Sequence, residues 1–205
     1  MQRQKSLESQ KSLENAQKQK SIGEYLQDSE ISRNLAVASM LWVAIAFGSY
    51  LLSFEIKYLP GNLYMNVVMS TVADLISTFF ATAQYERLGL KKSFYIGLLL
   101  SMAGCLMLLI SEGYDSQAVH AICLFICKFG LTFTFMINYL SIVQLFPTLF
   151  SGTASGICNF VGRLATIGSP IIAELEAPVP MFMLATMLFL GLTSSTMLSI
   201  PNQEG

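Results

Sequence analysis

The sequence predicts an all-α membrane protein of six transmembrane helices, and three observations carry that expectation. Hydrophobic residues make up 53% of the 205 and charged residues only 12%, about half the charged share of an average soluble domain. Mean hydropathy is +0.55. Six apolar stretches each reach or approach the roughly 17–25 residues that a helix needs to cross a bilayer, with turn-forming residues between them.

The chain divides into a polar tail at 1–34, a six-helix region at 35–200 and a short terminus at 201–205. The tail is rich in Gln, Lys, Ser and Glu and holds QKSLE twice, at Gln4–Glu8 and Gln10–Glu14. Such a segment has too little apolar surface to offset its ordering entropy, so it reads as disordered. Its last part, Ile22–Arg33, reads as a short juxtamembrane helix with Ile22, Tyr25 and Leu26 on one side. No apolar run precedes the first long segment, so no signal peptide is expected.

The spans are placed near 35–54, 61–83, 94–111, 118–142, 150–174 and 178–199. Pro60-Gly61 separates the first two, Gly89 lies in the second loop and Pro147 in the fourth. Pro178 and Pro180 open the last helix, where a missing N–H costs least, and Pro201 follows its end. An even number of spans puts both termini on one side. Arg3, Lys5, Lys11, Lys18, Lys20 and Arg33 in the tail, with Arg87, Lys91 and Lys92 in the second loop, make that side cytoplasmic by the positive-inside rule. Of the opposite loops, the first carries only Lys57, and Ser111–Gln117 carries no Lys or Arg.

Three ionisable residues fall within the spans: Asp74, Lys128 and Arg163. Each would cost about 2.5–3.5 kcal/mol at a lipid-facing helix centre, so all three belong on the bundle interior. Polar residues recur at helical spacing around them. Asn66, Ser70, Asp74 and Ser77 or Thr78 mark the second span. Lys128, Thr132, Asn138 and Ser141 mark the fourth, and Ser155, Asn159, Arg163 and Thr166 the fifth. These stripes suggest a shared hydrated cavity. The alternative is that Asp74 pairs with Lys128 or Arg163 and the stripes only hydrogen-bond helices together. Small residues in the fifth span, Gly152, Gly156, Gly162, Ala165, Gly168 and Ser169, permit close helix approach, and Gly168 with Pro170 permits a bend. The mid-helix Trp42 is a packing or cavity-wall residue.

Other chemistries find little support. Net charge is −1 with a pI near 5.8, which argues against a nucleic-acid partner. The cysteines Cys105, Cys123, Cys127 and Cys158 lie within apolar segments without a CxxC pair, and the one histidine, His120, stands near a segment end, so neither a metal nor a cofactor is expected. No nucleophile has a partnered base, so an enzyme is not expected either.

Several motifs, taken in order over about residues 22–200, together resemble the C-terminal half of a major facilitator superfamily transporter, in particular the organic cation/anion transporter family. Trp42 with Ser49-Tyr50-Leu51 resembles that family's tryptophan and YYGL-like helix end. Gly61-Asn62-Leu63-Tyr64-Met65-Asn66 is similar to its GNxYxN helix start. Asp74 falls where the family often has an acidic residue, and Glu86-Arg87-Leu88-Gly89-Leu90-Lys91-Lys92 is similar to its DRxGRR loop. Cys127-Lys128 resembles its glycine–lysine, Gln144-Leu145-Phe146-Pro147-Thr148 its ELYPT, and Gly162-Arg163-Leu164 through Ser169-Pro170 its next helix. Gln144 and Ser151 stand where the family has a glutamate and an arginine, Leu90 replaces a loop arginine, and the proline after Asp74 is missing.

The resemblance implies alternating access around a central cavity between two six-helix halves. It implies that Asp74, Lys128, Asn159 and Arg163 contact substrate, with Arg163 tilting the preference toward anions. It implies that Glu86, Arg87, Gly89, Lys91, Lys92, Gln144, Pro147 and Thr148 belong to cytoplasmic gate motifs. The expected partners are membrane lipid, a small organic ion and a second six-helix half not contained in these residues. The expected location is the plasma membrane. The competing reading is a non-transporting membrane subunit or relic that packs in a complex.

Overall fold

The computed structural model describes residues 27–59, 61–111 and 116–198, so the repeats, most of the polar tail and the 201–205 terminus lie outside the described residues. Among the described residues the elements are α1 (Ser29–Glu55), α2 (Leu63–Leu88), α3 (Leu90–Ser111), α4 (Gln117–Leu145), α5 (Thr148–Thr166), the five-residue α6 (Ser169–Ala173) and α7 (Val179–Thr196). With α5 and α6 counted as one span, Thr148–Ala173, six segments are long and apolar enough to cross a membrane.

Local chemistry sets the ends. Asp28 caps α1 by accepting the Glu30 N–H at 3.1 Å, and Asn62 caps α2 by accepting the Tyr64 N–H at 2.9 Å. Both satisfy donors that have no partner inside the helix. Gly89 alone separates α2 from α3. Its φ of +75° lies in the region closed to most side chains, so the chain reverses over one residue. The third span therefore begins at Leu90, ahead of the expected 94, and Lys91 and Lys92 lie in the first turn of α3. The first span likewise begins at Ser29 and not near 35. The fifth span breaks at Ile167-Gly168, and Pro170 takes an early position in α6, where it needs no helical N–H donor.

Two sets of helices pack side by side. In one, α1 lies against α5, α6 and α7; in the other, α4 lies against α2 and α3. Contacts of α1 with α4 and of α3 with α7 join the sets. The buried core draws most heavily on α1 and α4, while α2 and α5 keep much of their length exposed. The α3–α4 contact is the closest. A Cβ added to Gly104 would lie 2.3 Å from the Cys127 backbone nitrogen, and one on Gly130 would lie 2.5 Å from that of Ser101. These glycines let two backbones meet where dispersion and helix packing hold membrane helices together.

The small residues of α5 divide. Gly162 is a packing residue, since a Cβ there would lie 2.6 Å from the Trp42 ring. Trp42 is buried and meets Tyr139 edge-on, with ring centroids 4.7 Å apart. Gly152 and Gly156 have nothing within 4 Å of an added Cβ. Their GxxxG leaves an open face, so among the described residues it does not serve the close approach expected of it.

Candidate functional site

Polar side chains from α1, α2 and α4 converge on one cleft of about 370 Å³. Asp74 and Thr78 come from α2, Lys128 and Thr132 from α4, and Ser49, Tyr50 and Ser53 from the second half of α1. The two expected charges, Asp74 and Lys128, thus share a cavity. Its volume lies within the range of small-molecule pockets.

The charges do not pair with one another. No ion pair of 4.0 Å or less joins Asp74 to Lys128 or to Arg163. The Thr132 hydroxyl donates to Asp74 Oδ1, and Lys128 Nζ donates to Ser53 Oγ at 2.8 Å. Each charge is held by a neutral hydroxyl. Lys128 is only 6% exposed, and a buried ammonium with one neutral acceptor retains unused donors. That arrangement favours an incoming acceptor more than a closed salt bridge would.

Arg163 does not line the cleft itself. It stands exposed in the last turn of α5, where a cation also complements the helix C-terminus. Arg163 Nη1 donates to the Tyr50 hydroxyl, and its guanidinium carbon sits 5.5 Å from the centroid of that ring. Tyr50 lines the cleft, so Arg163 is tied to the cavity edge through it. Asn159 is half-buried on α5 and outside the cleft lining.

The polar stripes are less uniform than their spacing suggests. Asn66, Ser70 and Ser77 of α2, and Asn138 and Ser141 of α4, are buried in the protein and do not line the cleft. Ser77 and Thr78 both donate to the Asp74 carbonyl, at 3.0 and 2.8 Å, and Ser141 donates to the Asn138 carbonyl. Such bonds to the preceding turn satisfy a hydroxyl without a partner helix. Tyr50 and Ser53 hold Arg163 and Lys128, yet neither was among the expected site residues. Their signal was the polar run Ser49, Tyr50, Ser53 at helical spacing in an otherwise apolar span.

At the end of the bundle where α1 begins, Tyr85 of α2 donates to Gln144 Oε1 of α4 at 2.8 Å. Pro147 precedes α5, and the Ser151 hydroxyl returns to the Thr148 carbonyl at 3.0 Å. Glu86, Arg87, Gly89, Lys91 and Lys92 surround the α2–α3 reversal and are exposed. Among the described residues no group of three or more His, Cys, Asp or Glu side chains is placed to hold a metal ion.

The family model described as Major Facilitator Superfamily matches residues 3–170. Solute carrier family 22 member 4 of Mus musculus is 29% identical over 152 residues, covering 71% of this chain and 27% of its own length. Organic anion transporter 3 of Sus scrofa is 24% identical over 185 residues, covering 89% of this chain and 34% of its own. Organic cation/carnitine transporter 2 of Homo sapiens is 25% identical over 138 residues, covering 67% of this chain and 25% of its own. The chain spans about a quarter to a third of the length of these curated relatives.

Proposed function

The chain belongs to the Major Facilitator Superfamily, and we propose that it works as one six-helix half of a transporter that moves small organic ions by alternating access. The convergence of Asp74 and Lys128 on one cleft, with Arg163 joined to it through Tyr50, carries this reading. The names of the relatives support organic anions and organic cations alike. One carboxylate, one ammonium and one guanidinium around the site give a formal excess of one positive charge, which favours an anion. Lys128 and Arg163 are its anchors, and Asp74, held by the Thr132 hydroxyl, offsets part of their charge. Asn159 joins the site from α5 once a ligand and the second half narrow the cleft.

A second six-helix half covers the open sides of α2 and α5. The exposed Gly152–Gly156 face supports this, because it offers a close-packing surface that none of the described residues fills. The residues around Gly89 and the Gln144–Thr148 turn form the gate side. Both termini face the cytoplasm at the plasma membrane.

The test is uptake of labelled benzoate and labelled tetraethylammonium by vesicles containing the chain together with a partner half. Benzoate uptake should exceed the empty-vesicle control, Arg163→Ala should reduce it, and Arg163→Asp should shift preference toward the cation. Uptake that never exceeds the control refutes transport by this polypeptide. The second reading, a non-transporting membrane subunit, is favoured by Gln144 and Ser151. Both make neutral bonds at the gate side. It predicts stable assembly with a partner and no uptake.

A further inference from the structure

The fifth span carries a polar stripe that the cleft does not absorb. Ser155, Asn159, Arg163 and Thr166 recur at helical spacing along α5, and none of them lines the Asp74–Lys128 cavity. Arg163 is exposed and the other three are half-buried. On α2, Thr71, Thr78 and Thr82 are exposed and Asp74 is half-buried, again at helical spacing. Both helices keep much of their length exposed, so in a bilayer these stripes meet either lipid or protein. Charges facing lipid are costly, and membrane helices set them against partners.

The two stripes match in register. Arg163 donates to Tyr50, and Tyr50 lines the same cleft as Asp74, so guanidinium and carboxylate stand at a similar depth. The second and fifth spans cross in opposite directions. Each helix rises about 1.5 Å per residue, so positions equally far from Asp74 and Arg163 stay level. Toward the end where α1 finishes, Thr71 is level with Thr166. Toward the end where α1 begins, Thr78 is level with Asn159 and Thr82 with Ser155. Each polar residue of one stripe has a polar counterpart on the other, and the opposite charges coincide.

We propose that the half covering α2 and α5 is a second copy of this chain, related by a two-fold axis along the membrane normal, with Arg163 of each copy completing the cleft edge of the other. This rests on the reading that a second six-helix half closes the cleft. Rotation about that axis suits two copies inserted the same way and leaves every depth unchanged. It lays α2 of one copy antiparallel against α5 of its partner, and the contact occurs twice. Asp74 then meets the partner's Arg163. Thr132 donates to one carboxylate oxygen, so the other can accept, and Arg163 keeps N–H donors beyond the one directed at Tyr50. The Thr78 hydroxyl already donates to the Asp74 carbonyl, which leaves its oxygen to accept from the amide of the partner's Asn159. The open Gly152–Gly156 face of α5 lets the two helices approach. Charge complementarity singles out a second copy, because one face of this chain carries both signs in matching order.

The test is energy transfer between donor- and acceptor-labelled copies of the 205-residue chain in phosphatidylcholine vesicles, followed as lipid dilutes the protein. The parent chain should dimerise. Asp74→Arg sets arginine against arginine and Arg163→Asp sets aspartate against aspartate, so each alone should self-associate at least about tenfold more weakly. Mixed together, the two variants regain an opposite pair at both contacts, and the mixture should associate within about threefold of the parent. Register is read separately, in case either charge variant misfolds. Thr71→Cys/Thr166→Cys should give a dimer with a short bismaleimide, while Thr71→Cys/Gly152→Cys, about 21 Å out of register at the helical rise, should not; the native cysteines are buried. A monomeric parent, a mixture of folded variants no better than either alone, or equal cross-linking of both cysteine pairs overturns the proposal. A monomer that still co-purifies with a half of different sequence overturns it while leaving the half-transporter reading intact. A dimer in the expected register without uptake upholds it and removes the transport reading.

Discussion

Replacing Gly104 with alanine adds a single methyl group where α3 and α4 come closest. The added Cβ would lie 2.3 Å from the Cys127 nitrogen, 2.5 Å from its Cα and 2.8 Å from its Cβ. Ordinary contact begins near 3.4 Å, so relief requires a movement of about 1 Å. The nearest atoms are backbone and cannot rotate away, so the helices must separate or slide. Overpacking of this kind costs about 1–3 kcal/mol, while alanine in place of glycine returns about 1 kcal/mol of helix propensity. The net expectation is a loss of up to about 2 kcal/mol. Gly152→Ala is the matched control, because its Cβ meets nothing within 4 Å and only the propensity gain remains. Unfolding of both variants in mixed detergent micelles, followed by circular dichroism, should shift their midpoints in opposite directions. If Gly104→Ala matches or exceeds the parent, or if both variants lose stability equally, the assigned α3–α4 packing is wrong.

Further outcomes follow from the same contacts. Gly152→Leu should leave the isolated chain folded but prevent co-purification with a second six-helix half; unchanged co-purification would place that half on another face. Tyr50→Phe keeps the ring beneath Arg163 but removes the hydroxyl acceptor, so benzoate affinity should change several-fold while the unfolding midpoint stays within error. Removing the one hydrogen bond between Tyr85 and Gln144 with Tyr85→Phe should cost about 1 kcal/mol and speed hydrogen exchange at the C-terminal ends of α2 and α4; exchange unaltered there would mean the bond does not hold that end shut.

Composition and segment length made the six spans legible, because the bilayer imposes a length and satisfies no backbone group outside a helix. The ends were harder. Gly89 was visible as a breaker, but a one-residue reversal depends on its positive φ, which pattern does not reveal. Lys91 and Lys92 consequently read as loop residues when they begin α3. The charges Asp74 and Lys128 were legible as site candidates because each is expensive in a membrane. That they share a cleft follows from α2 and α4 packing together. Tyr50 and Ser53 were masked by their chemistry, since neither is costly enough in an apolar helix to demand a reason. Gly104 and Gly130 were missed for a related cause: close backbone approach needs a neighbour, and the neighbour is set only by tertiary structure.

The two accounts of Asp74 and Lys128 differ in a measurable coupling. If the residues are structural glue in a dry interior, their attraction at contact distance would approach the 4 kcal/mol expected near 4 Å at an effective dielectric of about 20. If they line a hydrated cleft, with Thr132 and Ser53 as their own partners, the same charges at 4 Å in water are worth about 1 kcal/mol, and no contact that close joins them. A double-mutant cycle with Asp74→Asn, Lys128→Gln and the double variant isolates the pairwise term. The geometry predicts a coupling in unfolding free energy below about 1 kcal/mol. A coupling above about 3 kcal/mol would mean that the pair closes in the resting protein. The same cycle read in benzoate affinity should behave differently. An anion held by Lys128 is repelled by Asp74, so Asp74→Asn should tighten binding when Lys128 is present and do little once it is gone. Large coupling in ligand affinity with little in stability marks charges kept for a ligand; the reverse marks charges kept for the fold, and would move the site away from this cleft.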